Sequence, residues 1–142
     1  MFAAFPLLAI PVVVYNLIVL TMGGFGSQDA QLQLTGPLFT ISMTSGAPWS
    51  VSLSDLLLAG SLVVLFIELL KSTTSRRIAI INHSLSMLLF IVCLVEFLLF
   101  PAFATSTFFL ITLMVLLDVL AGFIVTIVTA RRDMDFTGGN AN

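Results

Sequence analysis

Four ionisable side chains lie within stretches that are otherwise apolar: Glu68, His83, Glu96 and Asp118. Carboxylates and an imidazole at such positions suit proton transfer, ion pairing or, for a lone histidine, one axial bond to haem. Asp118 is the most demanding of them. It falls near the middle of FLITLMVLLDVLAGFIVTIV, residues 109–128, and its short side chain reaches neither end of that run. An ionisable group in an apolar interior needs a partner or gives up its charge. Glu68 has an evident candidate in Lys71, three residues on along the same helical face.

These residues need elements long enough to carry them through lipid. The chain has 142 residues, 59% hydrophobic and 8% charged, whereas soluble domains carry about 25% charged residues. Four stretches approach the roughly 20 apolar residues of a spanning helix: about 2–22, 53–70, 78–100 and 105–130. Gly23-Gly24 ends the first, and Pro101 separates the third from the fourth. Pro11 predicts a bend in the first. The expected fold class is therefore all-α integral membrane. It is a single four-span domain over residues 1–130, a four-helix transmembrane bundle with a β-hairpin in the first outer loop.

Orientation follows from the five Lys and Arg residues. Lys71, Arg76 and Arg77 lie between the second and third spans, and Arg131 and Arg132 follow the fourth; the loop 23–52 has none. Positive residues stay on the cytoplasmic side. The expected location is the plasma (inner) membrane, multi-pass, with both termini cytoplasmic. The tail 131–142 ends DMDFTGGNAN, a short polar stretch expected to lack fixed structure.

With that topology, depth follows from a rise of about 1.5 Å per residue. Glu68 lies roughly 22 Å from the outer end of its span, Asp118 roughly 20 Å and His83 roughly 26 Å. Glu68, Asn82, His83 and Asp118 thus form a candidate intramembrane polar cluster. Nearer the outside, Asn16 and Glu96 fall at similar depths and form a candidate pair. Periodicity agrees with an inward polar seam. Ser54, Ser61 and Glu68 recur every seventh residue, while Asn82, Ser86, Cys93 and Glu96 share one helical face. Asp118 and Gly122 are one turn apart. Small and polar residues on a common face are what membrane helices use to pack.

The outer loop 23–52 supplies the other candidate. Its first part, 23–36, is glycine-rich and polar and is expected to be a flexible entry. From about 38 to 53 the apolar residues Phe39, Ile41 and Met43 alternate with hydroxyl residues. After a Gly/Pro turn Trp49, Val51 and Leu53 do the same. Period two on both sides of a turn predicts a hairpin. Its apolar face (Phe39, Ile41, Met43, Trp49 and Val51) is the candidate docking surface, covering helix ends or headgroups, or meeting another protein. Asp55, beside Ser52 and Ser54, is expected to cap the second span.

Several classes are excluded. One cysteine rules out an internal disulfide, and one histidine rules out a multi-histidine metal site. The chain carries no P-loop, GxSxG, HExxH or CxxC motif, and no basic stripe for nucleic acid. No catalytic residue, metal or cofactor is expected. What remains is a small non-enzymatic membrane protein, an accessory or scaffold subunit with the lipid bilayer and a protein partner or homo-oligomer around it. The alternative is a proton- or ion-coupled channel or transporter component using Glu68, His83 and Asp118.

Overall fold

The computed structural model describes the backbone of residues 5–27, 29–72 and 76–138, with side chains for 5–27, 31–71 and 80–128. It is mostly helical, with one two-stranded antiparallel hairpin. The elements in chain order are α1 (Ala9–Thr21), α2 (Asp29–Thr35), β1 (Pro37–Ser42), β2 (Pro48–Ser52), α3 (Leu53–Ser72), α4 (Arg76–Leu99) and α5 (Ser106–Gly138). A 3-10 turn at Pro101–Phe103 separates the last two.

Three helices are long and apolar enough to cross a membrane: Leu53–Lys71, Ile80–Leu99 and Ser106–Val128. Their outward faces carry large apolar side chains, among them Leu62, Val63, Phe66, Leu88, Leu98 and Phe123. Water would penalise such a surface, whereas lipid solvates it. The inward faces combine apolar core residues such as Leu65, Phe108, Ile111 and Val115 with a seam of polar ones. Ser54, Ser61, Glu68, Asn82, Ser86 and Asp118 are all buried. Helix α5 packs most extensively against α4 and α3, which touch each other less.

The first helix is shorter than the stretch 2–22 suggests. Residues 1–4 lie outside the described part, and α1 has 13 residues, about 20 Å of helix. Pro11 sits in its first turn, where an N–H would have no intrahelical acceptor, so it starts the helix rather than bending it. Gly23 and Gly24 end it with φ values of 115° and 84°. Polar contacts tie α1 and the residues just before it to α3, α4 and the start of α5, as set out below.

The loop 23–36 is not a flexible entry throughout, because residues 29–35 form α2. Leu34 of that helix is fully buried in the main apolar cluster, with Val12, Tyr15, Leu65, Cys93, Phe103 and Phe108. The cluster includes the turn between α4 and α5, where Phe103 and Phe108 rings meet edge to face at 4.8 Å between centroids. Phe25 stacks on Phe103 at 5.5 Å.

Helix starts follow local chemistry. Ser52 and Asp55 form a capping box at α3: Asp55 N–H donates to Ser52 Oγ at 3.2 Å. Ser52 N–H donates back to Asp55 Oδ2 at 2.9 Å. Since Ser52 is also the last residue of β2, hairpin and helix are joined without a linker. Thr105 caps α5 by accepting Phe108 N–H at 3.1 Å. Helix α5 runs for 33 residues, so the first part of the tail 131–142 is helical to Gly138 rather than structureless. A formed helix propagates more easily than it nucleates. Residues 139–142 and the side chains of Arg76, Arg77, Arg131 and Arg132 lie outside the described part.

Candidate functional site

Glu68, Asn82, His83 and Asp118 fall into three local arrangements. Glu68 is fully buried on α3. Its carboxylate accepts the Leu7 backbone N–H at 2.8 Å and the Asn82 side-chain amide of α4. Lys71 Nζ lies 3.6 Å from the same carboxylate. It also donates to Phe5 O at 2.6 Å and to Asn82 Oδ1 at 3.4 Å. The chain just before α1 is thus clamped by one acid and one base of α3. The acid takes an N–H that no intrahelical carbonyl could accept, at the positive end of the α1 dipole.

Asp118 is the second arrangement. Ser86 Oγ of α4 donates to Asp118 Oδ2 at 2.6 Å, both side chains being buried. Asn82, which bonds Glu68, and Ser86, which bonds Asp118, lie one turn apart on α4. Direct bonding divides the expected cluster into Glu68 with Asn82 and Lys71, and Asp118 with Ser86.

His83 stands apart. Its Nδ1 is buried and has no hydrogen-bond partner among the described residues. The ring lies against Gly122 of α5: a Cβ there would come within 2.5 Å of Nδ1 and 3.0 Å of Cγ. The absence of a side chain at Gly122 is what lets α4 and α5 approach at this depth. Phe123 flanks the imidazole, with ring centroids 6.1 Å apart.

Nearer the C-terminal end of α4, Asn16 Nδ2 donates to Glu96 Oε2 at 3.3 Å and to Val12 O at 3.1 Å. A neighbouring network escaped the sequence reading. Phe108 N–H donates to Thr105 Oγ1 at 3.1 Å. Thr105 Oγ1 lies 2.6 Å from the Tyr15 hydroxyl, which donates to Ala102 O at 3.1 Å. The available signal was the single tyrosine of the chain, placed on an apolar helix beside Asn16. A buried phenol needs a hydrogen-bond partner. Through Leu7, Tyr15 and Asn16, α1 and the residues before it reach α3, α5 and α4 in turn.

The hairpin is built differently. β1 and β2 pair with Phe39 opposite Val51, Thr40 opposite Ser50 and Ile41 opposite Trp49. The turn closes with Gly46 N–H to Met43 O at 2.8 Å. Val51 is buried at the root, while Phe39, Ile41, Met43 and Trp49 are 44–51% exposed. The apolar face therefore does not rest on the helix ends beyond Val51. The opposite face is hydroxyl-rich, with Thr40 Oγ1 and Ser50 Oγ 3.1 Å apart. Residues 37–52 carry no charge.

No catalytic grouping emerges from these contacts. Among the described residues no three His, Cys, Asp or Glu side chains gather as a metal site. A cleft of about 540 Å³ between α2 and the 3-10 turn is lined by Gln31, Leu32, Thr35, Pro101, Ala102, Ala104 and Thr105, with no ionisable group. The three apolar helices define the class of the chain as compatible with a membrane protein. Comparison with protein-family models, curated proteins and solved structures finds no match.

Proposed function

We propose that this chain is a non-enzymatic four-helix protein of the plasma (inner) membrane, with both termini cytoplasmic, acting as an accessory or scaffold subunit. Its outer hairpin docks on a larger membrane complex. The observation that carries this reading is the hairpin itself. It is uncharged, fixed to α3 without a linker, and half-exposes four large apolar side chains in a row. Such a surface gains by being covered, at roughly 25 cal/mol per Å² of apolar area. The fourth helix is α1, whose contacts with α3, α4 and α5 favour a place within the bundle. The partnered state of Glu68, Asn82 and Asp118 favours a structural role for them.

Purification in mild detergent tests the reading. The wild type carries a stoichiometric partner, and Phe39→Ser with Trp49→Ser releases it while the chain itself stays monodisperse. A wild type recovered alone as a monodisperse monomer would overturn it.

One observation supports a second reading, a proton- or ion-coupled component. His83 Nδ1 is a buried nitrogen without a hydrogen-bond partner among the described residues, and its ring lies against Gly122, one turn along α5 from Asp118. In reconstituted vesicles that reading requires a proton or cation flux that Asp118→Asn abolishes. An unchanged flux in the variant removes it.

A further inference from the structure

The two edges of the hairpin are not equivalent. Met43 N–H donates to Ala47 O at 3.0 Å, which sets the phase of the ladder. Bonded pairs alternate with unbonded ones in an antiparallel ribbon. Ile41 and Trp49 therefore exchange bonds, as do Phe39 and Val51, while Thr40 with Ser50 and Ser42 with Pro48 do not. The 3.1 Å approach of the Thr40 and Ser50 hydroxyls agrees, because side chains come closest in unbonded pairs. The N–H and C=O groups of Thr40 and Ser42 thus point away from β2. Every residue of β1 is exposed.

The far edge of β2 is blunted. Pro48 has no N–H, and the Ser52 N–H is taken by Asp55. β1 has neither protection in its exposed half, nor the charged side chains that usually guard an edge. It is an open template for one more strand.

We propose that this strand is β1 of a second copy, paired antiparallel about a two-fold axis at Ile41, so that two hairpins form one four-stranded sheet. Thr40 of each copy then exchanges bonds with Ser42 of the other, and all four free N–H groups are used. Ile41 faces Ile41, Phe39 faces Met43, and hydroxyl side chains meet on the other face. The order Phe39-Thr40-Ile41-Ser42-Met43 is symmetric in character about its centre, as an isologous contact requires. A slip of one residue would set Ile41 against Thr40 and mismatch both faces. The strand is uncharged, so two copies meet without repulsion. One membrane holds both hairpins at one height, which lessens the cost of association. The inference rests on the reading of the hairpin as the docking element and names its first partner.

Disulfide trapping in native membranes tests it. Ile41→Cys puts two thiols on the axis, at an unbonded pair with Cα atoms about 4.5 Å apart, within disulfide reach. Oxidation is expected to convert most of the chain to a covalent dimer. Trp49→Cys and Ser50→Cys, three strand spacings or about 14 Å from their mates, should cross-link at least tenfold less. Wild type, with only the buried Cys93, should not cross-link. Adding Ser42→Pro to Ile41→Cys removes an outward N–H that the hairpin does not use, and should abolish the dimer. The proposal is overturned if Ile41→Cys stays monomeric, or if the β2 cysteines cross-link as well. The two readings part in the same experiment. A monomeric Ile41→Cys chain that still carries a different stoichiometric protein rejects the dimer and keeps the docking reading. A cross-linked dimer with no other protein does the reverse.

Discussion

At the scale of single residues, His83 leaves no room for a side chain at Gly122. An alanine at 122 would bring its methyl to 2.5 Å from Nδ1, a distance that side chains do not tolerate. Turning the half-buried ring aside would still leave His83 Cβ 3.3 Å from the new methyl. Gly122→Ala is expected to destabilise by about 1–3 kcal/mol, read as a lowered thermal midpoint in detergent. His83→Ala in the same chain should recover most of that loss, because the clash is with the ring. If the double variant is no better than Gly122→Ala alone, the contact is not what separates the helices. Asp118 and Ser86 form the other testable pair. Asp118→Asn keeps an acceptor for the Ser86 hydroxyl and should be tolerated, whereas Asp118→Leu leaves that hydroxyl unpaired. A double-mutant cycle of Ser86→Ala with Asp118→Leu should give a coupling of about 0.6–1.7 kcal/mol. A coupling near zero would mean that the 2.6 Å hydrogen bond contributes nothing to assembly.

At the scale of elements, α1 depends on its neighbours far more than the three long helices do. It has 13 residues, and an isolated helix of that length is marginal in water. Glu68 fastens its entry through the Leu7 N–H. Glu68→Gln retains an oxygen acceptor and should hold that entry. Glu68→Leu leaves Leu7, Asn82 and Lys71 short of an acceptor and should cost about 1–3 kcal/mol. Amide exchange at residues 7–10 should then rise selectively, with α5 unchanged. Uniform protection in the Leu variant would show that the clamp does not anchor α1. The same dependence explains what the sequence disclosed and what it did not. Helices α3, α4 and α5 were legible because each is a long apolar run with punctuation at its ends. The hairpin was legible because period two survives on both sides of Gly46. The Asn16–Glu96 contact followed from depth alone. By contrast α2 is short, and its stability comes from Leu34 entering a core assembled by remote segments. Periodicity within DAQLQLT cannot report that. The Tyr15 network joins residues about ninety positions apart, including a backbone carbonyl that no side-chain pattern reveals. The helical start of the tail was missed for another reason. Its composition favours coil, but the preceding helix has already met the cost of nucleation.

At the scale of the whole molecule, the two ends differ in kind. One end holds the hairpin, the aromatic cluster and the starts of α3 and α5. The other holds the Lys71–Phe5 contact, the end of α3, the start of α4 and the far part of α5. The distance between them is set by α3, whose 20 residues give about 30 Å, the thickness of a bilayer core. The hairpin tip and the C-terminal part of α5 should therefore lie on opposite sides of a membrane. Every Lys and Arg belongs to the second end, so that end should be cytoplasmic. A membrane-impermeant thiol reagent on intact cells separates the two claims. Ser45→Cys at the hairpin turn should label without permeabilisation, and Asp133→Cys beyond the apolar part of α5 only after it. Cys93, buried in the interior, keeps the background low. The reverse pattern would leave the fold intact and reject only the charge-based orientation. Labelling of both from one side would reject the arrangement of helices across the bilayer, and with it the hairpin as an outer docking element.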